Sequence, residues 1–256
     1  VPSARRRVQG EVSEVRSEKE NNLQLVTPRT AYPYACWVSE FSERAAEELV
    51  QPIILLVDRE EPASEQHGIA AAALASVQAY LHDPQNPDWR IWAAGHFAKS
   101  VRRADAKMFA KVLTAFPDHV LATVGEASAV GLPPMPAAAL PKLLSKLQVS
   151  GTQLPPGAQL PPQPLTIVLN GSLEMSTGKA AAQAAHALFA WVLESKPAAV
   201  QGWLDAGCPV GVQELAAKEF KKGARKCKGP VIQDAGRTEI EPGSTTAFVT
   251  TGTITR

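Results

Sequence analysis

Three polar side chains, Lys179, Gln183 and His186, punctuate the Ala-rich run Gly178-Lys179-Ala180-Ala181-Ala182-Gln183-Ala184-Ala185-His186-Ala187. Their spacing of i, i+4 and i+7 puts all three on one stripe of a helix, within about 60° of arc. Ala181, Ala184, Leu188 and Trp191 fall on other faces, where small and apolar groups can pack closely against a sheet. A lysine in the first helical turn adds its cation to the field of the free amides and the helix dipole, so the spacing favours a phosphate or a developing oxyanion there. Further on comes the block Asp234-Ala235-Gly236-Arg237-Thr238-Glu239-Ile240-Glu241-Pro242-Gly243, in which Asp234 to Thr238 reads as a Gly-containing turn that presents Asp234, Arg237 and Thr238 at one sheet edge. As hairpin punctuation, Asp closes an Asx turn and Gly supplies a positive φ, which accounts for Asp234 and Gly236 but not for Arg237 and Thr238.

The elements that must position these groups are legible around them. Leu165 to Leu169 predicts a buried strand, Asn170 to Thr177 a polar loop, and Gly178 to Leu193 a helix capped by Ser176 or Thr177. Val231 to Gln233 predicts a strand, and the β-branched run Thr245 to Thr251 its returning partner. A phosphate-binding loop is excluded. Its pattern requires Gly at position 173 and a hydroxyl at position 180, where Leu173 and Ala180 stand.

The two blocks, in this order and at this spacing, resemble the type II peptidyl-tRNA hydrolases over roughly residues 164 to 251. The resemblance implies cleavage of the ester that joins a peptide to the terminal ribose of tRNA, with tRNA as partner and no metal or other cofactor required. It implies that Lys179, Asp234 and Thr238 line the hydrolytic site, with Gly178, Gln183, His186, Gly236 and Arg237 at the substrate. In those roles Asp234 orients or activates a water, Lys179 supplies positive potential to the oxyanion or a nearby phosphate, and Thr238 positions the ester. One departure is visible. Where the family carries Arg and Asp before its Met, this chain has Leu169-Asn170-Gly171-Ser172-Leu173 before Met175, which alters the charge around Lys179. The competing reading is a noncatalytic scaffold or interaction subunit of a larger assembly that retains the hydrolase fold.

With 256 residues, 45% hydrophobic and 20% charged, the chain is long enough for two modest domains. Pro, His, Lys or Asp breaks each Ala-rich run well short of the roughly 18 apolar residues a membrane helix needs, so no membrane insertion is expected. Cys36, Cys208 and Cys227 are too scattered for a zinc site or a disulfide framework. That points to a reducing interior, cytoplasmic or organellar (stroma or matrix), rather than a secreted protein. The formal net charge of +1 hides two basic clusters, one containing Arg102, Arg103, Lys107 and Lys111, the other Lys221, Lys222, Arg225, Lys226 and Lys228. Each reads either as a solvated helix face or as a phosphate contact. The first, with Arg102 and Arg103, could extend a tRNA footprint. Residues 1–45 read as a flexible or extended arm, with Arg5-Arg6-Arg7 near its start, either a docking element for a protein partner or the remnant of a presequence.

The first half carries a faded copy of the second. Gln51-Pro52 with its apolar run is echoed by Gln163-Pro164 with its own about 112 positions later, and Gly68 opens an Ala-rich helix as Gly178 does. Trp92, Gly95 and Phe109 are echoed by Trp203, Gly207 and Phe220, and Val124-Gly125-Glu126-Ala127 falls where the Asp234 turn recurs. The stripe positions fall near Ile69, Ala73 and Ser76, which carry no such chemistry. The expectation is therefore an α/β chain of two tandem three-layer units, each a small mixed sheet of about four strands flanked by helices on both faces. Residues 46–150 form a degenerate hydrolase-like unit, 151–163 a Pro-rich linker, and 164–256 the hydrolase-like unit.

Overall fold

A computed structural model describes residues 48–157, 160–161, 163–235 and 239–252. The expected N-terminal arm, Cys36, and the turn residues Gly236, Arg237 and Thr238 lie outside the described residues. The first unit runs β1 (Leu49–Leu56), α1 (Glu65–His82), α2 (Pro87–Ala94), β2 (Ala98–Ala104), α3 (Ala106–Ala115), β3 (Val120–Val124) and β4 (Ala127–Gly131). A connector with β5 (Met135–Pro136) and a one-turn α4 (Lys142–Ser145) follows. The second unit repeats the order: β6 (Leu165–Asn170), α5 (Thr177–Glu194), α6 (Pro197–Asp205), β7 (Gly211–Leu215), α7 (Ala217–Lys226), β8 (Val231–Gln233) and β9 (Thr245–Thr251).

Both sheets have one topology. Strand order is β2-β1-β4-β3 in the first and β7-β6-β9-β8 in the second, with β5 added beside β1. In each, the first pair is parallel and the other two are antiparallel. Helices cover both faces, as expected. Phe109 of α3 packs on Ile54 and Val130, and Phe220 of α7 packs on Val168 and Phe248, in the same places. The Trp92 indole N–H donates to the Ala98 carbonyl (2.6 Å), and that of Trp203 to the Pro209 carbonyl (3.0 Å). Just before each of these acceptors stands a non-glycine residue in the left-handed region, Phe97 (φ 53°) and Cys208 (φ 57°).

These equivalences correct the alignment of the halves. N-caps Ser64 and Ser176 place the two helices 112 positions apart, but Ile54 matches Val168, so the strands are offset by 114. Gln51-Pro52 lies inside β1, whereas Gln163-Pro164 precedes β6. A slip of two leaves the same side chains on the same faces, so a hydrophobic pattern alone cannot detect it. With the caps aligned, the positions of Lys179, Gln183 and His186 fall on His67, Ala71 and Leu74 rather than Ile69, Ala73 and Ser76.

The units meet along α1 and α5. Alanines make that approach possible: Ala70, Ala71, Ala72, Ala73 and Ala75 are fully buried, as are Ala181, Ala184, Ala185 and Ala187. A helix apolar around its whole circumference must be enclosed, and α1 is, between its own sheet and its twin. The contact is reciprocal, α5 touching β2 and α1 touching β7, as in a two-fold interface between copies. Phe189 of α5 reaches into the aromatic cluster of the first unit, with ring centroids 5.1 Å from Tyr80, 5.0 Å from Trp92 and 5.4 Å from Phe97. One continuous apolar core spans both units. Among the described residues, no helix is long and apolar enough to cross a membrane.

The packing of α1 on β4 leaves no space for a methyl group at Gly131, whose Cβ would lie 2.0 Å from the Ala75 carbonyl oxygen. Backbone meets backbone there, so neither side can yield cheaply. Gly131→Ala is expected to destabilise the chain by about 3 kcal/mol, read as a lowered urea midpoint; an unchanged midpoint would mean that α1 does not pack this tightly.

Candidate active site

The site forms where α5 begins and the β8–β9 hairpin turns, at the C-terminal edge of the parallel strands β6 and β7. Asn170 closes β6. Its amide donates to the Thr245 carbonyl (3.1 Å), and its Oδ1 accepts from the Ser172 hydroxyl (2.6 Å). The Asn-Gly-Ser sequence that departs from the family pattern thus clasps the loop to β9. The chain then turns through Glu174 in the left-handed region (φ 47°) and enters α5 with Ser176 as N-cap, the Lys179 amide donating to its hydroxyl oxygen (3.2 Å). Glu239, in the connection between β8 and β9, accepts from both the Ser176 amide (3.0 Å) and its hydroxyl (2.7 Å).

Two members of the stripe converge on Asp234. The Lys179 ammonium lies 2.5 Å from Asp234 Oδ1, and the Gln183 amide donates to the same oxygen at 3.0 Å. Thr246, wholly buried on β9, donates to Gln183 Oε1 (2.6 Å), which fixes the amide so that its NH2 faces the carboxylate. The main chain of Asp234 is pinned by its own amide to the Ser244 carbonyl (2.9 Å) and by the Gly243 amide to its carbonyl (2.8 Å). The ion pair is nearly enclosed, with side-chain exposure of 10% for Lys179 and 6% for Asp234. A charged pair so desolvated persists only with close geometry and further hydrogen bonds, and both are present.

The helix N-terminus is not the free anion cradle that the sequence suggests. Its first-turn amides are satisfied internally: that of Thr177 by Gln153 Oε1 (3.3 Å), that of Gly178 by the Thr152 carbonyl (3.2 Å), that of Lys179 by Ser176. Gly178 is glycine because the connector crosses it; a Cβ there would sit 3.1 Å from Thr152 Cβ. The Thr177 hydroxyl donates to Glu65 of the first unit (2.7 Å). Among the described residues, positive charge at this site comes from the Lys179 side chain.

His186, the third member of the stripe, has its ring 5.3 Å from that of Phe97 in the first unit. Beside it, the Lys99 ammonium sits 3.9 Å from the Trp92 ring, 4.2 Å from Phe97 and 4.3 Å from Phe189, and donates to Gln51 Oε1 at 3.2 Å. Burial lowers the pKa of Lys99 well below the ordinary lysine value, while the ring faces favour its cation. Burial, then the Lys99 and Lys179 ammonium groups, hold His186 well below the ordinary histidine value. It is a neutral imidazole at neutral pH.

Arg102 and Arg103 hold the connector. Arg102 donates to the Leu144 and Leu147 carbonyls (3.0 and 3.1 Å), and Arg103 to the Gly151 carbonyl (2.8 Å) and to Gln148. At the equivalent corner of the first unit, His67 Nδ1 lies 2.8 Å from Glu126 Oε2, and Glu126 accepts from the Ser64 amide (2.9 Å). Contact with His67, then that amide, lowers the Glu126 carboxyl to about 2. Glu126 clamps its N-cap as Glu239 does, but Lys, Gln and Asp are replaced. Sequence reasoning gave no site role to Thr246, Glu239, Glu65 or Lys99, although Lys99 opens the first basic cluster. Glu239 stands within the second block, three residues after Gly236, while Thr246 looks like any β-branched strand residue.

Because His186 is neutral when folded, the unfolded chain alone takes a proton as the pH falls below the ordinary value of 6.5. Its contribution to stability is intact above that value and is lost beneath it. Urea unfolding at about pH 7.5 and about pH 5.5 is expected to show a loss in the wild type that His186→Gln reduces; an equal loss in both would exclude His186 as its source.

The family profile Peptidyl-tRNA hydrolase PTH2 matches residues 164–253, the second unit. The peptidyl-tRNA hydrolase of Methanococcus maripaludis is 38% identical over 90 residues, covering 32% of this chain and 78% of the relative. That of Methanopyrus kandleri is 38% identical over 91 residues, with the same coverage. That of Sulfurisphaera tokodaii is 35% identical over 97 residues, covering 33% of this chain and 80% of the relative. About four-fifths of each of these relatives is thus matched by one sheet, its helices and the hairpin that carries Asp234, and through this second unit the chain belongs to the peptidyl-tRNA hydrolase PTH2 family.

Proposed function

We propose that the second unit hydrolyses the ester bond of peptidyl-tRNA, or of N-blocked aminoacyl-tRNA, releasing the peptide and tRNA in support of translation. The observation that carries this reading is the convergence of Lys179 and Gln183 on one oxygen of Asp234, in a chain whose relatives are peptidyl-tRNA hydrolases. Two donors orient the carboxylate, and Thr246 orients one of those donors. In the proposed reaction, Asp234 aligns a water and draws on its proton as the oxygen attacks the ester carbonyl. Lys179 stabilises the tetrahedral oxyanion, and Thr238 donates to the ester. Collapse breaks the bond to the ribose oxygen, which takes the proton and leaves as a hydroxyl. The acyl group leaves as a carboxylic acid.

Gln183 and His186 border this chemistry differently. Gln183 is a positioning residue, acting through Asp234. His186, neutral, adds no charge beside the oxyanion. The first unit has His67, Ala71 and Leu74 at the stripe positions, and its proposed role is support: Glu65 and the connector brace the start of α5. Such a substrate is met in the cytoplasm or an organellar interior.

Purified chain is expected to hydrolyse N-blocked aminoacyl-tRNA, with Asp234→Asn and Lys179→Met each lowering kcat by about 100-fold or more while circular dichroism confirms folding. A folded wild-type chain without turnover would overturn the proposal and favour the noncatalytic interaction subunit.

A further inference from the structure

We propose that the groove between α7 and the β8–β9 hairpin, with the exposed basic face of α7, is the track for the ribose-phosphate backbone of the tRNA; this rests on the hydrolase reading. Phe220 locks α7 to the sheet beneath, and Gly223 lets it approach closely, since a Cβ there would sit 2.7 Å from the Phe248 ring. The opposite side of the helix is left to solvent. Lys218, Lys221, Lys222, Arg225 and Lys226 are all exposed, with Lys228 just beyond and Glu219 the only acid on the helix. Lys221 and Arg225 line the groove, together with Leu173, Val231, Ser244 and Thr245.

This groove is joined to the site through the hairpin. The Ser244 carbonyl accepts from the Asp234 amide, and the Thr245 carbonyl accepts from Asn170 at the end of β6. A backbone lying along α7 would thus approach the turn that holds Asp234.

The first unit supplies an internal control. With Phe109 set on Phe220, Lys107 and Lys111 match Lys218 and Lys222, but Ala110, Thr114 and Ala115 stand where Lys221, Arg225 and Lys226 are. The cations without a counterpart belong to the unit that carries Lys179 and Asp234, and two of them line the groove. Arg102 and Arg103, the other basic feature, hold the connector. Phosphate neutralisation dominates affinity for nucleic acid, and an ammonium and a guanidinium above a shallow apolar floor suit a ribose-phosphate chain.

Binding of deacylated tRNA across a salt series, with peptidyl-tRNA kinetics, tests this in Lys221→Gln/Arg225→Gln. The salt slope is expected to fall by about one for each cation removed, and KM for peptidyl-tRNA to rise about tenfold with kcat retained. Lys107→Gln/Lys111→Gln on α3 is expected to have the smaller effect. Unchanged slope and KM in the α7 variant, or an equal or larger effect from α3, would overturn the proposal, as would wild-type chain that binds an acidic protein here and no tRNA. Failure of hydrolysis alone would count against the proposed function instead, since the salt slope of tRNA binding still reads the groove.

Discussion

A carboxylate that is 6% exposed must be answered by its surroundings, and the Asp234 carboxylate sets the terms for the second unit. An isolated charge at that depth would cost several kcal/mol or would stay protonated. Lys179 and Gln183 answer it from α5, and Thr246 from β9 holds Gln183 in the required orientation. Helix, hairpin and central sheet therefore meet at one polar node, and the rest of the unit holds them in register.

That need explains why α5 is braced on every side of its first turn. Glu239 holds the N-cap from the hairpin, Glu65 holds Thr177 from the first unit, and Thr152 holds Gly178 from the connector. The first unit has the same architecture and a clamp of the same kind in Ser64 and Glu126, yet it presents His67 where the second presents Lys179. One fold thus carries two different corners, and the interface of buried alanines joins them.

Much of this was legible in sequence. Val231–Gln233 and Thr245–Thr251 form strands over the expected residues, and α5 begins one residue before its expected start and ends one after its expected end. Periodicity sufficed because these segments alternate or repeat cleanly. Lys179 and Gln183 were legible as a pair, since one stripe faces one place. His186 lies farther along the same stripe, where the neighbour is Phe97 of the other unit, and helical geometry alone cannot name a neighbour supplied by tertiary packing. The satisfied amides of α5 were invisible for the same reason, their acceptors lying on a connector that composition marks only as Pro-rich. Arg102 and Arg103 read either as part of a solvated helix face or as phosphate contacts; they lie on β2, and the fold sets carbonyls of the connector in front of them, which a guanidinium suits as well as phosphates.

In the proposed reaction Lys179 and Asp234 act as one device. A double-mutant cycle on kcat/KM for peptidyl-tRNA hydrolysis, combining Lys179→Met and Asp234→Asn, tests it most directly. Strong non-additivity is expected, the double variant being little worse than the more impaired single one. Losses that add, or a double variant that keeps wild-type turnover, would contradict it.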